Sequence, residues 1–277
     1  MSFVNLYNPP PPADPPPGTD TAVDPDGPSL YGPSPYDINF AFPLDTAWLE
    51  STHVRLTPFI PRVHARAYWD AVAPVSTELF RHFGIAWATM EENLAYIEKS
   101  YRQSPENILF AIIDKTRSGE ASAQRDDDAM SAPPAAGSLA GVISLLHTSS
   151  KNLTAEIGYT VVLPAFQRTH VAAHAVGLLL RYCLDLPSAS PPGLGLRRVQ
   201  WMAYPENIAS IRLAEKMGFK REGVFRWMWA VSDEEGVKPR KGDSMEDKTG
   251  RDTVILAICW DDWEEGGRSR VQSRISA

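Results

Sequence analysis

The sequence predicts an α+β protein with one folded domain built around a mixed β-sheet. Three observations lead to this class: the order of strand and helix periods, a switch to helical periodicity near residue 169, and the confinement of excess proline to one end. The chain has 277 residues, a length that allows one large domain or two small ones. No internal repeat divides it, so we expect one domain.

The first part of the body combines one strand, several helices and a run of three strands. The sequence HVRLTPFI alternates apolar and polar residues, as a half-buried strand does. Thr89 and Glu92 have the spacing of a capping box and mark the start of one helix. The predicted elements are a strand at 53–60, helices at 63–73, 75–84 and 90–103, and strands at 108–114, 139–147 and 153–162. The last three strands predict a meander.

The second part of the body changes period and alternates helices with strands. THVAAHAVGLLLRYCLD carries an apolar stripe at helical spacing, and SASPPGLG ends that helix. Gly218 stands at a C-cap position after a further helix. The predicted elements are helices at 169–185 and 207–217 and strands at 197–203, 219–232 and 252–260.

Composition divides the chain into a folded body with ends of a different character. Of the 24 prolines, 12 fall within residues 1–45, where PPPPADPPPG favours an extended polyproline II conformation. We expect a disordered tail over 1–45, in which Phe40, Phe42 and Leu44 are candidates for packing onto the body. The domain is expected over 46–265, with a flexible insert at 117–138 and a disordered C-terminal tail at 266–277.

Charge and segment composition exclude several classes of protein. A net charge of −7 argues against a basic nucleic-acid binder. No apolar run reaches the ~18 residues of a membrane-spanning helix, and the N-terminus has no signal-peptide pattern. We expect no membrane partner and a cytoplasmic protein, with a nuclear pool left open. Cys183 and Cys259 lie in apolar runs and are expected to be reduced thiols.

The most informative segment is the strand-to-helix join GYTVVLPAFQRTHVAAHA. The unpaired N–H groups and positive dipole at a helix N-terminus can bind an anion, above all a phosphate. Neither a Walker loop nor a dinucleotide fingerprint is present in this join. His170 and His174 are one helical turn apart, but no acidic residue accompanies them in the local sequence, so we expect no metal site.

Several ordered motifs resemble the GNAT acetyltransferase superfamily. PAFQRTHVAAHA resembles its acyl-CoA pyrophosphate loop, usually Q/R-x-x-G-x-G/A, and LAGVISL with AEIGYTV resembles its central strands. LRRVQWMAYPENIASIRLAEKMGFKREGVFR is similar to the signature of the branch that acetylates ribosomal-protein N-termini. The resemblance covers about residues 54–263. It implies a mixed, mostly antiparallel sheet flanked by helices, with a splayed pair of parallel strands that holds acyl-CoA.

The resemblance also implies where acetyl-CoA, the expected cosubstrate, would bind. Pantetheine would lie in the gap between the splayed strands and pair with the backbone of Val161 and Leu163. The pyrophosphate would be caught after Gln167 by the amides of Arg168, Thr169, His170, Val171 and Ala172. His170 departs from the family pattern, because a glycine usually stands there. Its ring either points away from the phosphate or contributes a hydrogen bond, or the loop has lost affinity for CoA.

Three residues carry the implied chemistry of acetyl transfer. By resemblance, Asn207 contacts the pantetheine arm and Ser210 protonates the departing thiolate, although Asn207 also has the pattern of a simple helix cap. Glu156 is a carboxylate on a central strand. It is either the base for the attacking amine or part of a structural salt bridge.

These expectations describe an N-acetyltransferase acting on a protein N-terminus or a small amine. The alternatives are a catalytically inactive CoA-binding or scaffolding protein and an acyltransferase acting on a small metabolite. An acidic run at 232–236 is expected beside the acceptor site, where it would favour a cationic amine. The expected assembly is a monomer or a homodimer.

Overall fold

A seven-stranded sheet forms the centre of the protein. The computed structural model describes residues 30–85, 87–117, 137–232 and 236–276. The strand order is β1-β2-β3-β4-β5-β7-β6, and every neighbouring pair is antiparallel except β4–β5, which is parallel. The strands are β1 (Val54–Pro58), β2 (Ile108–Asp114), β3 (Ser138–Ser149), β4 (Thr154–Val162), β5 (Arg198–Ala203), β6 (Lys220–Val231) and β7 (Thr249–Cys259).

The parallel pair β4–β5 opens toward its C-terminal end. Its register runs only from Thr154 opposite Arg198 to Glu156 opposite Gln200, although both strands continue beyond that point. The expected mixed sheet with one splayed parallel pair is therefore confirmed, and so is the meander of β2, β3 and β4.

Helices cover the sheet and bury its apolar side chains. They are α1 (Pro61–Val72), α2 (Ser76–Phe80), α3 (Met90–Ile97), α4 (Val171–Leu184), α5 (Ile208–Lys216), α6 (Trp260–Asp262) and α7 (Arg268–Ile275). The Thr89 hydroxyl accepts the backbone N–H of Glu92 at 3.2 Å, which confirms the predicted cap of α3. Helix α4 packs against β1, β2, β4, β5 and α7, so its N-terminus is fixed at the open end of the β4–β5 pair. Among the described residues, no helix has the length and apolar composition needed to cross a bilayer.

The two ends of the chain contribute to the core. Phe40, Phe42 and Leu44 pack against the buried cluster as expected, and the Tyr182 hydroxyl donates to the Pro43 carbonyl at 2.7 Å. Residues 1–29 of the predicted tail and 118–136 of the predicted insert lie outside the described residues.

The expectation of a disordered tail over 266–277 is wrong for helix α7. Val271 and Ile275 stand one helical turn apart in an otherwise polar segment, and both are buried. They pack against Gly177 of α4, where a Cβ would lie 2.6 Å from Cγ2 of Ile275. The ion pair of Arg268 with Asp185, at the end of α4, adds to these two apolar contacts in docking the helix.

Candidate functional site

A β-bulge in β4 bends this strand away from β5. The register with β3 shifts between Val142 and Ser144, so Tyr159 and Thr160 together face Ile143. Tyr159 has φ 44°, in the left-handed region that non-glycine residues rarely adopt. The Ser144 hydroxyl donates to the Gly158 carbonyl at 2.9 Å and holds the strand beside the bulge. Bulges bend the strand that carries them, which accounts for the end of β4–β5 pairing after Glu156.

In β4, the residue whose backbone N–H and C=O point into the gap between β4 and β5 is Val162. The backbone groups of its neighbours, Val161 and Leu163, point toward β3. The Leu163 N–H donates to Ala140 at 2.9 Å, and the Leu163 carbonyl accepts from Phe166 at 2.8 Å. Because alternate residues of an antiparallel strand point the same way, Val161 also faces β3 and Val162 faces the gap. The expected pairing of pantetheine with Val161 and Leu163 is therefore out of register by one residue.

The loop after β4 leads into helix α4 through a series of local side-chain hydrogen bonds. The Gln167 amide donates to the Val162 carbonyl at 3.2 Å, and the Thr169 hydroxyl donates to the Phe166 carbonyl at 2.6 Å. His170 is the N-cap of α4 and makes no side-chain capping hydrogen bond. The Val171 N–H donates weakly to the Thr169 hydroxyl at 3.4 Å. The first N–H groups of this 14-residue helix have no partners within the helix, as at any helix start, and point toward the space where an anion could bind. The structure thus brings together the expected pyrophosphate residues, 167–172.

His170 adopts a backbone conformation that does not require glycine. Its φ of −65° and ψ of −22° are right-handed helical, whereas the left-handed residue of the loop is Arg168, with φ 61°. Nε2 of His170 lies 3.4 Å from Oδ1 of Asp114, a buried residue of β2. The ring is thus directed at the protein interior, the first of the orientations that the sequence left open.

Two further histidines and one carboxylate surround His170. The rings of His53, His170 and His174 lie 5.2–5.3 Å apart, and the Ser51 hydroxyl lies 2.9 Å from Nδ1 of His174. Burial, followed by the neighbouring His170 and His53, lowers the pKa of His174 to about 4. The sequence paired only His170 with His174, because His53 and Asp114 reach them solely through the fold.

The clustered groups do not form a converged metal site. Within the described ranges, the one set of three potential ligand atoms that lie within 4.8 Å of one another belongs to Cys259, Asp261 and Asp262. The Asp262 carboxylate already pairs with Lys220 and accepts the Cys259 amide. The expected absence of a metal site stays a prediction.

Glu156 lies buried at the point where β4 and β5 separate. Its Oε2 accepts a hydrogen bond from Nε2 of Gln200, on β5, at 3.1 Å and lies 3.2 Å from Nδ1 of His147, on β3. The carboxylate side chain is 8% exposed, whereas the His147 side chain is 60% exposed. The hydrogen bond to Glu156 raises the pKa of His147, and the charge of Glu106 acts in the same direction. Glu156 therefore has polar partners on both sides and a path to solvent through His147.

Asn207 and Ser210 lie on the opposite side of the gap, at the start of α5. The Asn207 carbonyl oxygen Oδ1 accepts the Ser210 N–H at 3.1 Å, so Asn207 caps the helix as its sequence pattern indicates. The indole N–H of Trp201 donates to Oγ of Ser210 at 2.9 Å. An oxygen that accepts this hydrogen bond keeps its own proton free to donate, as a general acid must.

An aromatic cluster packs around Tyr159 on the helical side of the bulge. The Tyr159 ring contacts Phe80, Phe83, Trp87, Tyr96 and Tyr101. Burial raises the pKa of Tyr159 and of Tyr101 well above its ordinary value, so both phenols are neutral. This aromatic cluster forms an apolar wall beside the bulge.

The acidic run predicted beside the acceptor site is described only in part, because residues 233–235 lie outside the described residues.

Comparison with known proteins places the chain among acetyltransferases. A family model described as "Acetyltransferase (GNAT) domain" matches residues 53–220. The uncharacterized N-acetyltransferase YoaA of Bacillus subtilis (strain 168) is 34% identical over 88 residues, which cover 32% of this chain and 45% of that protein. The match thus spans less than half the length of this curated relative.

Solved structures share the fold over most of the chain. A GCN5-related N-acetyltransferase from Brucella melitensis is 26% identical, with a TM-score of 0.61 over 81% of this chain and 83% of its own. Mycobacterium smegmatis RimJ, in complex with CoA-disulfide, is 16% identical, with a TM-score of 0.55 over 79% and 88%. Spermidine N-acetyltransferase from Vibrio cholerae, in complex with CoA and spermine, is 14% identical, with a TM-score of 0.52 over 76% and 96%. The last two likenesses concern the fold alone.

Proposed function

Since the chain belongs to the GNAT acetyltransferase family, we propose that it transfers an acetyl group from acetyl-CoA to the nitrogen of an amine. One observation carries the proposal. The splayed end of β4–β5 lies beside the N-terminus of α4, with Glu156 on one side of the gap and Ser210 on the other. This arrangement offers an anion site, a slot for an extended arm, a base and an acid in one cleft.

The acetyl-CoA site would extend from the helix start into the gap. The pyrophosphate would accept hydrogen bonds from the amides of 168–172, where the helix dipole favours negative charge. The pantetheine arm would lie along β4 at Val162 and approach Asn207 across the gap. The CoA complexes of RimJ and of the spermidine enzyme, which share this fold, support the choice of cofactor. The chemistry that acetyl-CoA supplies is a thioester open to attack by an amine.

The reaction needs a base before the attack and an acid after it. Glu156 would take the proton of the ammonium form and so free the nitrogen lone pair. The C–N bond then forms and the C–S bond breaks. Ser210 would give its proton to the departing thiolate and take back the second proton that the acylated nitrogen loses, so that the amide is neutral and the hydroxyl is restored. The hydrogen bonds of Glu156 to Gln200 and His147 hold its carboxylate toward the separation point of the strands.

The acceptor is proposed as an amine that carries a positive charge in water. The solved structures that share this fold include a RimJ protein and a spermidine acetyltransferase. A protein N-terminus and a polyamine are therefore both candidate acceptors. The net charge of −7 favours either through the long-range field. A cytoplasmic location and a monomeric or homodimeric state are part of this proposal.

The alternative of an inactive scaffold rested on His170. Its helical backbone and its ring beside Asp114 leave the amide donors of the loop available, so no feature of the described site favours that alternative.

The test is release of free thiol from acetyl-CoA in the presence of an amine panel: N-terminal peptides, polyamines and small metabolite amines. We expect amine-dependent release, reduced at least ~100-fold in Glu156→Gln by loss of the base. Glu264→Gln is a matched control, because this exposed glutamate pairs with Arg268 far along the chain from the gap. Equal activity of Glu156→Gln and wild type would remove Glu156 from the mechanism.

A further inference from the structure

His147 has a backbone conformation that only a specific constraint would maintain. It lies near the end of β3 with φ 49°, in the left-handed region that a non-glycine residue enters at a cost. The β3–β4 register shifts between Leu146 and Ser149, so a bulge lies at this position. The His147 N–H donates to Oδ1 of Asn107 at 2.9 Å, which holds the distorted backbone in place. Bulges of this kind redirect a side chain, and here the redirected side chain is an imidazole.

The redirected imidazole connects a buried carboxylate to solvent. Nδ1 of His147 lies 3.2 Å from Oε2 of Glu156. The same oxygen accepts from Gln200. Oε1 of Glu156 lies over Gly158, 3.3 Å from the place a Cβ would take, and Cδ1 of Leu146 lies 2.9 Å from the same place. The same oxygen of the carboxylate thus contacts both His147 and Gln200.

The contact with His147 offers a way to remove the proton that the proposed reaction leaves on Glu156. Each turnover leaves one proton on Glu156, whose side chain is only 8% exposed, and the carboxylate must lose that proton before it can act again. His147 is 60% exposed and touches the carboxylate directly. An imidazole binds a proton more strongly than an ordinary carboxylate and exchanges it with water near neutral pH.

We propose that His147 is a proton relay that regenerates Glu156 after each acetyl transfer. The proton passes from the ammonium nitrogen to the Glu156 carboxylate, then from the carboxyl group to Nδ1 of neutral His147. The imidazolium releases a proton to water or buffer from its exposed edge, so no net proton stays on the enzyme. His147 does not touch the reacting atoms and acts through Glu156, which makes it a positioning residue. The inference rests on the proposed function and deepens it.

The charges around the relay are few and of one sign. Glu156 on β4 and Glu106, in the turn before β2, are the ionisable groups that act on His147, and both favour its protonated form. Gln200 and Asn107 contribute neutral hydrogen bonds from β5 and from the same turn. Activity in the wild type should therefore fall as pH drops through a pKa above 6.5, since a protonated His147 accepts nothing from Glu156.

The test is chemical rescue of His147→Ala by free imidazole. We expect kcat to fall at least ~10-fold with little change in KM for acetyl-CoA, and imidazole at tens of millimolar to restore it in proportion to its concentration. His147→Gln, which preserves a hydrogen-bonding amide beside Glu156, should remain slow and lose the acidic limb of the wild-type pH profile.

Several outcomes separate this inference from the function on which it rests. Wild-type kcat and an unchanged pH profile in His147→Ala would overturn the relay, and so would a slow variant that does not respond to imidazole. Glu156→Gln should be slow with or without imidazole. If Glu156→Gln is fully active, the assignment of the base fails, whatever His147 does.

Discussion

At the residue scale, the acid side of the gap depends on one indole N–H. Trp201 is buried on β5, and its N–H donates to Oγ of Ser210. Negative charge develops on this oxygen as its proton moves to a thiolate, and a fixed donor stabilises that charge. The family resemblance implied the roles of Ser210 and Asn207. The sequence could not predict Trp201, since the contact requires the turn from β5 into α5 to fold back.

Replacement of Trp201 by phenylalanine removes this donor and retains an aromatic ring. We expect kcat to fall about fivefold, the equivalent of about 1 kcal/mol for one hydrogen bond, with KM for acetyl-CoA unchanged. In a Ser210→Ala background the same change should have no effect on kcat, which a steady-state double-mutant cycle measures.

Trp263→Phe is the matched control for this experiment. Trp263 is equally buried and donates its indole N–H to Oδ1 of Asp185 at 2.8 Å, far along the chain from Ser210. It should lower the melting temperature and leave kcat alone. An equal loss of kcat from Trp201→Phe with and without the Ser210 hydroxyl would contradict the role of the indole.

At the element scale, strong periodicity predicted most helices and strands, while weakly apolar segments escaped prediction. The strands 108–114 and 153–162 read clearly because they are buried and β-branched. Helix α7 was missed because its segment is polar apart from Val271 and Ile275, and the surface on which these side chains pack, at Gly177 of α4, is distant in sequence. The sequence of α7 alone therefore does not indicate that a glycine on another helix leaves space for its two apolar side chains.

Gly177→Ala should destabilise the protein by about 1–3 kcal/mol, the usual cost of overpacking, because the new Cβ meets Ile275. Adding Ile275→Ala should restore part of the loss, and urea unfolding measures both. Gly223→Ala is the control, since no atom lies within 4 Å of a Cβ built there. If Gly177→Ala unfolds at the same urea concentration as the wild type, α7 does not pack on α4 as described.

At the scale of the whole molecule, the fold gathers residues that are distant in sequence. The order of elements was predictable from local pattern, and the splayed parallel pair followed from the family resemblance. The cluster of His53, Asp114, His170 and His174 was not predictable from the sequence, because three separate segments of the chain meet there. The same holds for Glu156 with His147, whose contact arises from a bulge that no sequence period reveals.

Buried histidines should make the folded state sensitive to acid. Burial lowers the pKa of His64 and of His174 from 6.5 to about 4. Between pH 6.5 and about 4, these two histidines bind protons in the unfolded chain but stay neutral in the folded protein. The free energy of unfolding should therefore fall as the pH drops from 6.5 to about 4, and the two histidines should not affect it above pH 6.5. Urea unfolding across this range provides the measurement.

His174→Gln preserves a hydrogen-bonding group beside Ser51 and removes one titration. The number of protons taken up on unfolding near pH 5 should fall by about one. An identical pH dependence in the variant would mean that His174 titrates normally in the folded protein.

The function proposed for this protein is acetyl transfer to an amine in the cleft between β4 and β5. The most direct measurement is the rate of thiol release from acetyl-CoA by wild type and by Glu156→Gln, with and without each amine of the panel. We predict release that requires both an amine and the Glu156 carboxylate, with mass spectrometry detecting an acetylated amine. Absence of amine-dependent release with every acceptor class, together with no heat of acetyl-CoA binding at high micromolar concentration, would contradict the claim.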